Sequence, residues 1–139
     1  MGRSHIARHR QRGQELVEFA LILPLLLLLM VGIFEFGYVV FAYNTLSNAV
    51  REGARYGSVH PESTDAIIER AERLTTGLDG DELTWDVVGS ADDDEPSETR
   101  ISVSVTYQHH LMTGFIFQPF GIGEDGTIPL TASSSMGIE

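Results

Sequence analysis

Cysteine and lysine are absent from the 139 residues, and tryptophan occurs once. Without cysteine, disulfides and thiolate metal sites are excluded. A small folded unit must then be held by its own apolar core, by a neighbouring helix or by partner subunits. Positive charge is also scarce: nine arginines face twenty acids, for a net charge of −11. Beyond residue 43 the balance is five arginines against seventeen acids, or −12. A unit of that charge repels phosphate, so no nucleic-acid partner is expected. Charge of either sign is missing from residues 19–34, a run of sixteen.

That run lies inside RGQELVEFALILPLLLLLMVGIFEFGYVVFA, residues 12–42. As a helix, residues 16–43 would rise about 42 Å, more than the ~30 Å hydrocarbon core of a bilayer. A helix apolar on every side is expected in a membrane, not on a small soluble domain. Arg3, Arg8, Arg10 and Arg12 precede it with no acid among them, and the acidic bulk follows. This is the positive-inside pattern of a single-pass protein of the cytoplasmic membrane. The N-terminus is expected in the cytoplasm and the C-terminal domain outside it.

An ordinary secretory signal has only 7–15 apolar residues and a small-residue cleavage site. The run here is longer and no such site follows it before Ala42, so one reading is an uncut signal anchor. The junction offers another. Gly13 is followed by Gln14, Glu15, Leu16, Val17, Glu18 and Phe19. This resembles the class III leader of type IV pilins, which is cut on the cytoplasmic side after glycine. Further features appear in order: GQELVEFALILP, an apolar tract, GIFEFG and NAVREGARYG. Together, over residues 12–57, they resemble the TadE-like minor pilins and pseudopilins of the tight-adherence (Tad/Flp) type IV pilus family.

The resemblance implies processing between Gly13 and Gln14 by a prepilin peptidase. Glu18 would become the fifth mature residue, the place of the family's characteristic glutamate. It also implies other pilin subunits and Tad assembly-platform proteins as partners beside membrane lipid, and a place in a surface pilus. A carboxylate just inside a membrane helix is unfavourable when unpaired and usually marks a function. Glu18 is expected to pair with the amine of a neighbouring subunit and set axial register; the plain alternative is a carboxylate reaching the headgroups. Glu35, about 25 Å further along the helix, is either a second pairing residue or a side chain in the outer headgroups. Gly32 and Gly37 flank it and permit close approach or bending. Pro24 removes one helical hydrogen bond and is the expected bend.

Three segments follow: a basic cytoplasmic leader at 1–13, the transmembrane pilin-like helix at 14–58, and a small exported α+β domain at 59–139. Tyr43, Leu46, Val50, Ala54 and Gly57 share a helical face, and Gly53 and Gly57 suit docking of the helix on its own sheet. Pro61 stops that helix. A second helix is expected over 64–76, capped by Ser63 or Thr64, with a Glu69–Arg73 pair and Gly77 as its C-terminal cap. Period-two alternation predicts strands at 83–88, 101–108 and 128–136, with Pro129 suited to an edge. The fold class is therefore α+β: long transmembrane helix, second helix, three-stranded antiparallel sheet.

Asp92, Asp93, Asp94 and Glu95 crowd one connection. Clustered carboxylates can take calcium outside a cell, but the spacing lacks the EF-hand pattern and a solvated loop is the plainer reading. No other metal and no cofactor are expected. Residues 111–123, LMTGFIFQPFGIG, are too apolar for a free loop, and Phe115, Phe117 and Phe120 suit core or subunit contact better than lipid. His109 and His110 point to opposite sides of a strand end and do not converge on a metal. Ser133, Ser134 and Ser135 lack a nucleophile elbow and a base. No enzyme is expected. The function indicated is structural, a minor pilin or pseudopilin in assembly of a Tad-type pilus or of an adhesion or secretion apparatus. The alternatives are a membrane-anchored extracytoplasmic binding module or a major filament subunit.

Overall fold

The computed structural model describes the backbone of residues 5–89, 100–114 and 126–138, and side chains from residue 13 onward. The acidic run at 92–95 and the phenylalanines at 115, 117 and 120 lie outside these residues, and so do the expectations attached to them. Helix α1 runs His5–Gly57 without a break, beginning nine residues before the expected start at Gln14. Helix α2 is Thr64–Glu72. A 3-10 turn, Gly80–Glu82, leads into strand β1, Leu83–Val88, followed by β2, Arg100–His110, and β3, Thr127–Gly137. The three strands form one antiparallel sheet in the order β1-β2-β3. The architecture is the α+β arrangement expected, with Pro129 on an edge strand.

The sheet is organised by alternation. Ile101, Val103, Val105 and Tyr107 on β2 are buried, and so are Val87 on β1 and Ala132 on β3. They face the C-terminal third of α1, where Ala42, Leu46, Ala49, Val50 and Ala54 are buried at helical spacing. Tyr43, expected on that face, is exposed instead, and Ala42 and Ala49 take the contact. The small residues let helix and sheet approach closely. A Cβ on Gly53 would meet the Ala71 Cβ at 3.2 Å and Val103 Cγ1 at 3.4 Å. One on Gly57 would come within 2.5 Å of Ile101 Cδ1. The two glycines therefore serve docking inside the chain. Three strands with one apolar face are not stable alone, and α1 supplies the missing layer.

Helix α2 ends at Glu72, short of the expected residue 76. Leu74 and Thr75 donate to the carbonyls of Ala71 and Glu72 in tight i→i−3 bonds, both 3.0 Å. The Thr75 hydroxyl takes the same Glu72 carbonyl at 2.8 Å and closes the helix. Gly77 is not its cap. It sits at φ +93° inside the following turn, which the Leu78 N–H closes onto the Thr75 carbonyl. That is the position of a type II turn that requires glycine. At the other end Ser63 Oγ accepts from the Ala66 N–H, the N-cap expected.

Candidate functional site

Two parts of α1 bear on function: the bare N-terminal length, and the place where it meets the sheet. From Leu16 to Phe36 the large apolar side chains outside Val31 are exposed, Phe19, Leu21, Phe34 and Phe36 by more than 60 %. Its most apolar window has a mean hydropathy of 2.7 and no buried residue. The bare part, residues 16–34, rises about 28 Å, close to the ~30 Å of a hydrocarbon core. From residue 35 onward one face of the helix is covered by the sheet, so those residues form part of the folded head.

Gly13, Gln14 and Glu18 stand exposed at the start of this length. Glu18 has no ion-pair partner among the described side chains. Gly32 and Gly37 have open space where a side chain would be. Pro24 lies within unbroken helix.

Glu35 marks the junction. The Thr113 N–H donates to its Oε1 at 3.4 Å, and the Thr113 hydroxyl donates to its Oε2. Thr113 itself is buried. One turn on, the hydroxyls of Tyr38 and Tyr107 share a hydrogen bond of 3.2 Å. The His109 ring packs on Tyr38 with centroids 4.8 Å apart. Burial pushes the His109 imidazole below its ordinary range, against the opposing pull of Glu35 and Glu82. Burial likewise raises the Tyr107 phenol, reinforced by the Tyr38 hydroxyl. His110, on the opposite side of the strand, meets Glu82 at 3.0 Å. The two histidines thus diverge. Among the described residues no group of His, Cys, Asp or Glu is arranged to hold a metal.

Tyr38, Tyr107, His109 and Thr113 were not singled out from the sequence as a set. His109 had a signal, because it continues the inward parity of residues 101, 103, 105 and 107. Thr113 had none, since its position depends on the turn after β2. A second polar seam joins the helices. Glu52 accepts from Arg55 at 2.7 Å and from Arg70 at 2.9 Å. The Arg55 hydrogen bond, then Arg70, hold its carboxyl down at about 2. The expected Glu69–Arg73 pair is present at 2.7 Å.

The arrangement is a single long apolar helix that continues unbroken into a small α+β head. One N-terminal apolar helix of this kind fits a single-pass membrane protein. Residues 13–55 match the family model described as TadE-like protein, so this segment of the chain is similar to that family. The match supports involvement in a Tad-type pilus system. No curated protein and no solved structure gives a significant match.

Proposed function

We propose that the chain is a minor pilin or pseudopilin that takes part in assembling a Tad-type pilus or a related adhesion or secretion apparatus. One observation carries the reading. The TadE-like segment, residues 13–55, takes in Gly13, Gln14 and Glu18, the bare membrane-length part of α1, and the stretch of α1 that packs into the core of the head. In this reading the arginine-rich leader stays in the cytoplasm and a prepilin peptidase cuts after Gly13. Gln14 then carries the new amine. Other pilin subunits and the assembly-platform proteins are the partners.

Glu18 would pair with that amine on a neighbouring subunit, where low dielectric strengthens the attraction and penalises a mismatched register. Glu35 accepts hydrogen bonds from Thr113 of its own chain, and register between subunits is assigned to Glu18. A bend at Pro24 would let the helix follow its neighbours in a filament.

Intact-mass measurement of the membrane-purified protein tests the reading. The expected mass lacks residues 1–13, and a Gly13→Leu variant keeps them. A full-length mature chain in the presence of an active peptidase would overturn it. Stoichiometry in sheared filaments then separates a minor from a major subunit.

A further inference from the structure

The place where helix and head meet contains a cleft of about 310 Å³ lined by Phe34, Glu35, Tyr38, His109, His110 and Met112. It lies immediately after the membrane-length part of α1, at the level of the lipid headgroups if that part spans the bilayer. Met112 projects from the rim and is 80 % exposed. Aromatic side chains concentrate on the same stretch of α1, at Phe34, Phe36, Tyr38, Phe41 and Tyr43, as they do at membrane interfaces.

The charge of the cleft is one-sided. Glu35 accepts two hydrogen bonds from Thr113, both neutral, and has no cation within salt-bridge distance among the described side chains. Glu82 stands behind His110. His109 is held toward its neutral form by burial. No arginine lines the cleft. A carboxylate in a half-covered, aromatic-walled site at a membrane surface is unfavourable without a counter-charge. Its remaining lone pairs suit an N–H donor, and the Tyr38 and Phe34 rings suit a cation.

The geometry points to a binding site for the ammonium headgroup of a zwitterionic phospholipid, with Glu35 as the counter-ion and Phe34, Tyr38 and Met112 against the lipid. Ethanolamine is preferred over choline because a primary ammonium donates hydrogen bonds to the carboxylate. Anionic headgroups are disfavoured by Glu35, by Glu82 and by the net charge of −12 beyond residue 43. The site holds the outer end of the helix at fixed depth while the subunit waits in the membrane. This inference rests on the membrane-spanning reading of α1 but not on leader cleavage or assembly.

Native mass spectrometry of the full chain released from nanodiscs tests it. The nanodiscs contain phosphatidylglycerol mixed in equal parts with either phosphatidylethanolamine or phosphatidylcholine. Retained ethanolamine lipid is expected to exceed retained phosphatidylglycerol, and Glu35→Gln is expected to lower it about tenfold, the scale of a lost charge-assisted hydrogen bond. Met112→Lys, on an exposed rim position, should do the same by supplying the missing cation from within the chain. Glu18→Gln should leave retention unchanged. Equal retention of all headgroups, or retention that survives both Glu35→Gln and Met112→Lys, overturns the site. So does loss of contact between copies, in place of lipid, on Glu35→Gln, because the occupant is then a neighbour's amine. A chain that enters no nanodisc of any composition would instead refute the membrane-spanning reading itself.

Discussion

Gly89 leaves β1 with φ +88°, and a Cβ there would run into the Arg100 carbonyl oxygen at the start of β2. The strain of the left-handed region and the clash act together, and the obstructing atom is backbone that cannot turn away. Gly89→Ala is expected to destabilise the head by about 2–3 kcal/mol, read from urea unfolding of a chain starting at residue 35. At Gly57 the same argument weakens, because the nearest atoms are the flexible ends of Ile101 and Ile67. His109 gives a pH test. Burial lowers its pKa from the ordinary 6.5, so the unfolded chain takes up its proton first as pH falls. The stability of keeping it neutral is complete above the unfolded pKa and declines as pH drops toward the folded one. The melting temperature is expected to fall from pH 7 to pH 5.5, and His109→Gln should flatten that limb. Equal slopes in both proteins would remove the burial argument. The parity of β2 made the inward direction of His109 legible in the sequence. Its partners were not, because Tyr38 and Glu35 reach it only through tertiary packing.

At the scale of elements, the seam between α1 and α2 is set by Ala71 and Ile67 against Gly53 and Gly57, with Glu52 bridging to Arg70 on its rim. Glu52→Gln keeps shape and removes charge. Its expected effect on stability is at most about 1 kcal/mol, as for other exposed pairs. The sign with pH is fixed by the depressed carboxyl. The contribution is present above the unfolded value of 4.5 and is lost as pH falls toward about 2. The difference between wild type and Glu52→Gln in thermal melts should therefore close on acidification through that window. Helix and strand types were legible because their periods are clean: Ile101 to Tyr107 alternate without error, and Leu46, Val50 and Ala54 keep helical spacing. The end of α2 was not. Thr75 closes it with a side-chain bond to Glu72 that competes with further helix, and a hydroxyl's choice between solvent and backbone is not written in the hydrophobic pattern.

For the whole molecule, the decisive fact is that one helix belongs to two environments. Its first part has the length and bareness of a membrane span; its last part is the missing layer of a three-stranded sheet. Hydrophobicity alone could not divide them, because Phe36, Val39, Val40 and Phe41 are as apolar as the residues before them. The division comes from small residues, Ala42, Ala49, Gly53 and Ala54, which mark a surface made for close packing rather than for lipid. It follows that the head does not need the span in order to fold but does need the rest of α1. A chain starting at residue 35 retains Glu35, Tyr38, Ala42, Leu46 and Val50 and is expected to melt cooperatively. A chain starting at residue 51 loses Leu46 and Val50 from the core, each worth about 1.5–3 kcal/mol of burial. With Ala42 and Ala49 also gone, the loss reaches the whole stability typical of so small a domain. That shorter chain should show no cooperative transition by circular dichroism and collapsed amide dispersion in its NMR spectrum. If it folded as well as the longer one, the sheet would have a second covering layer, and α1 would be an anchor attached to the head rather than a part of it.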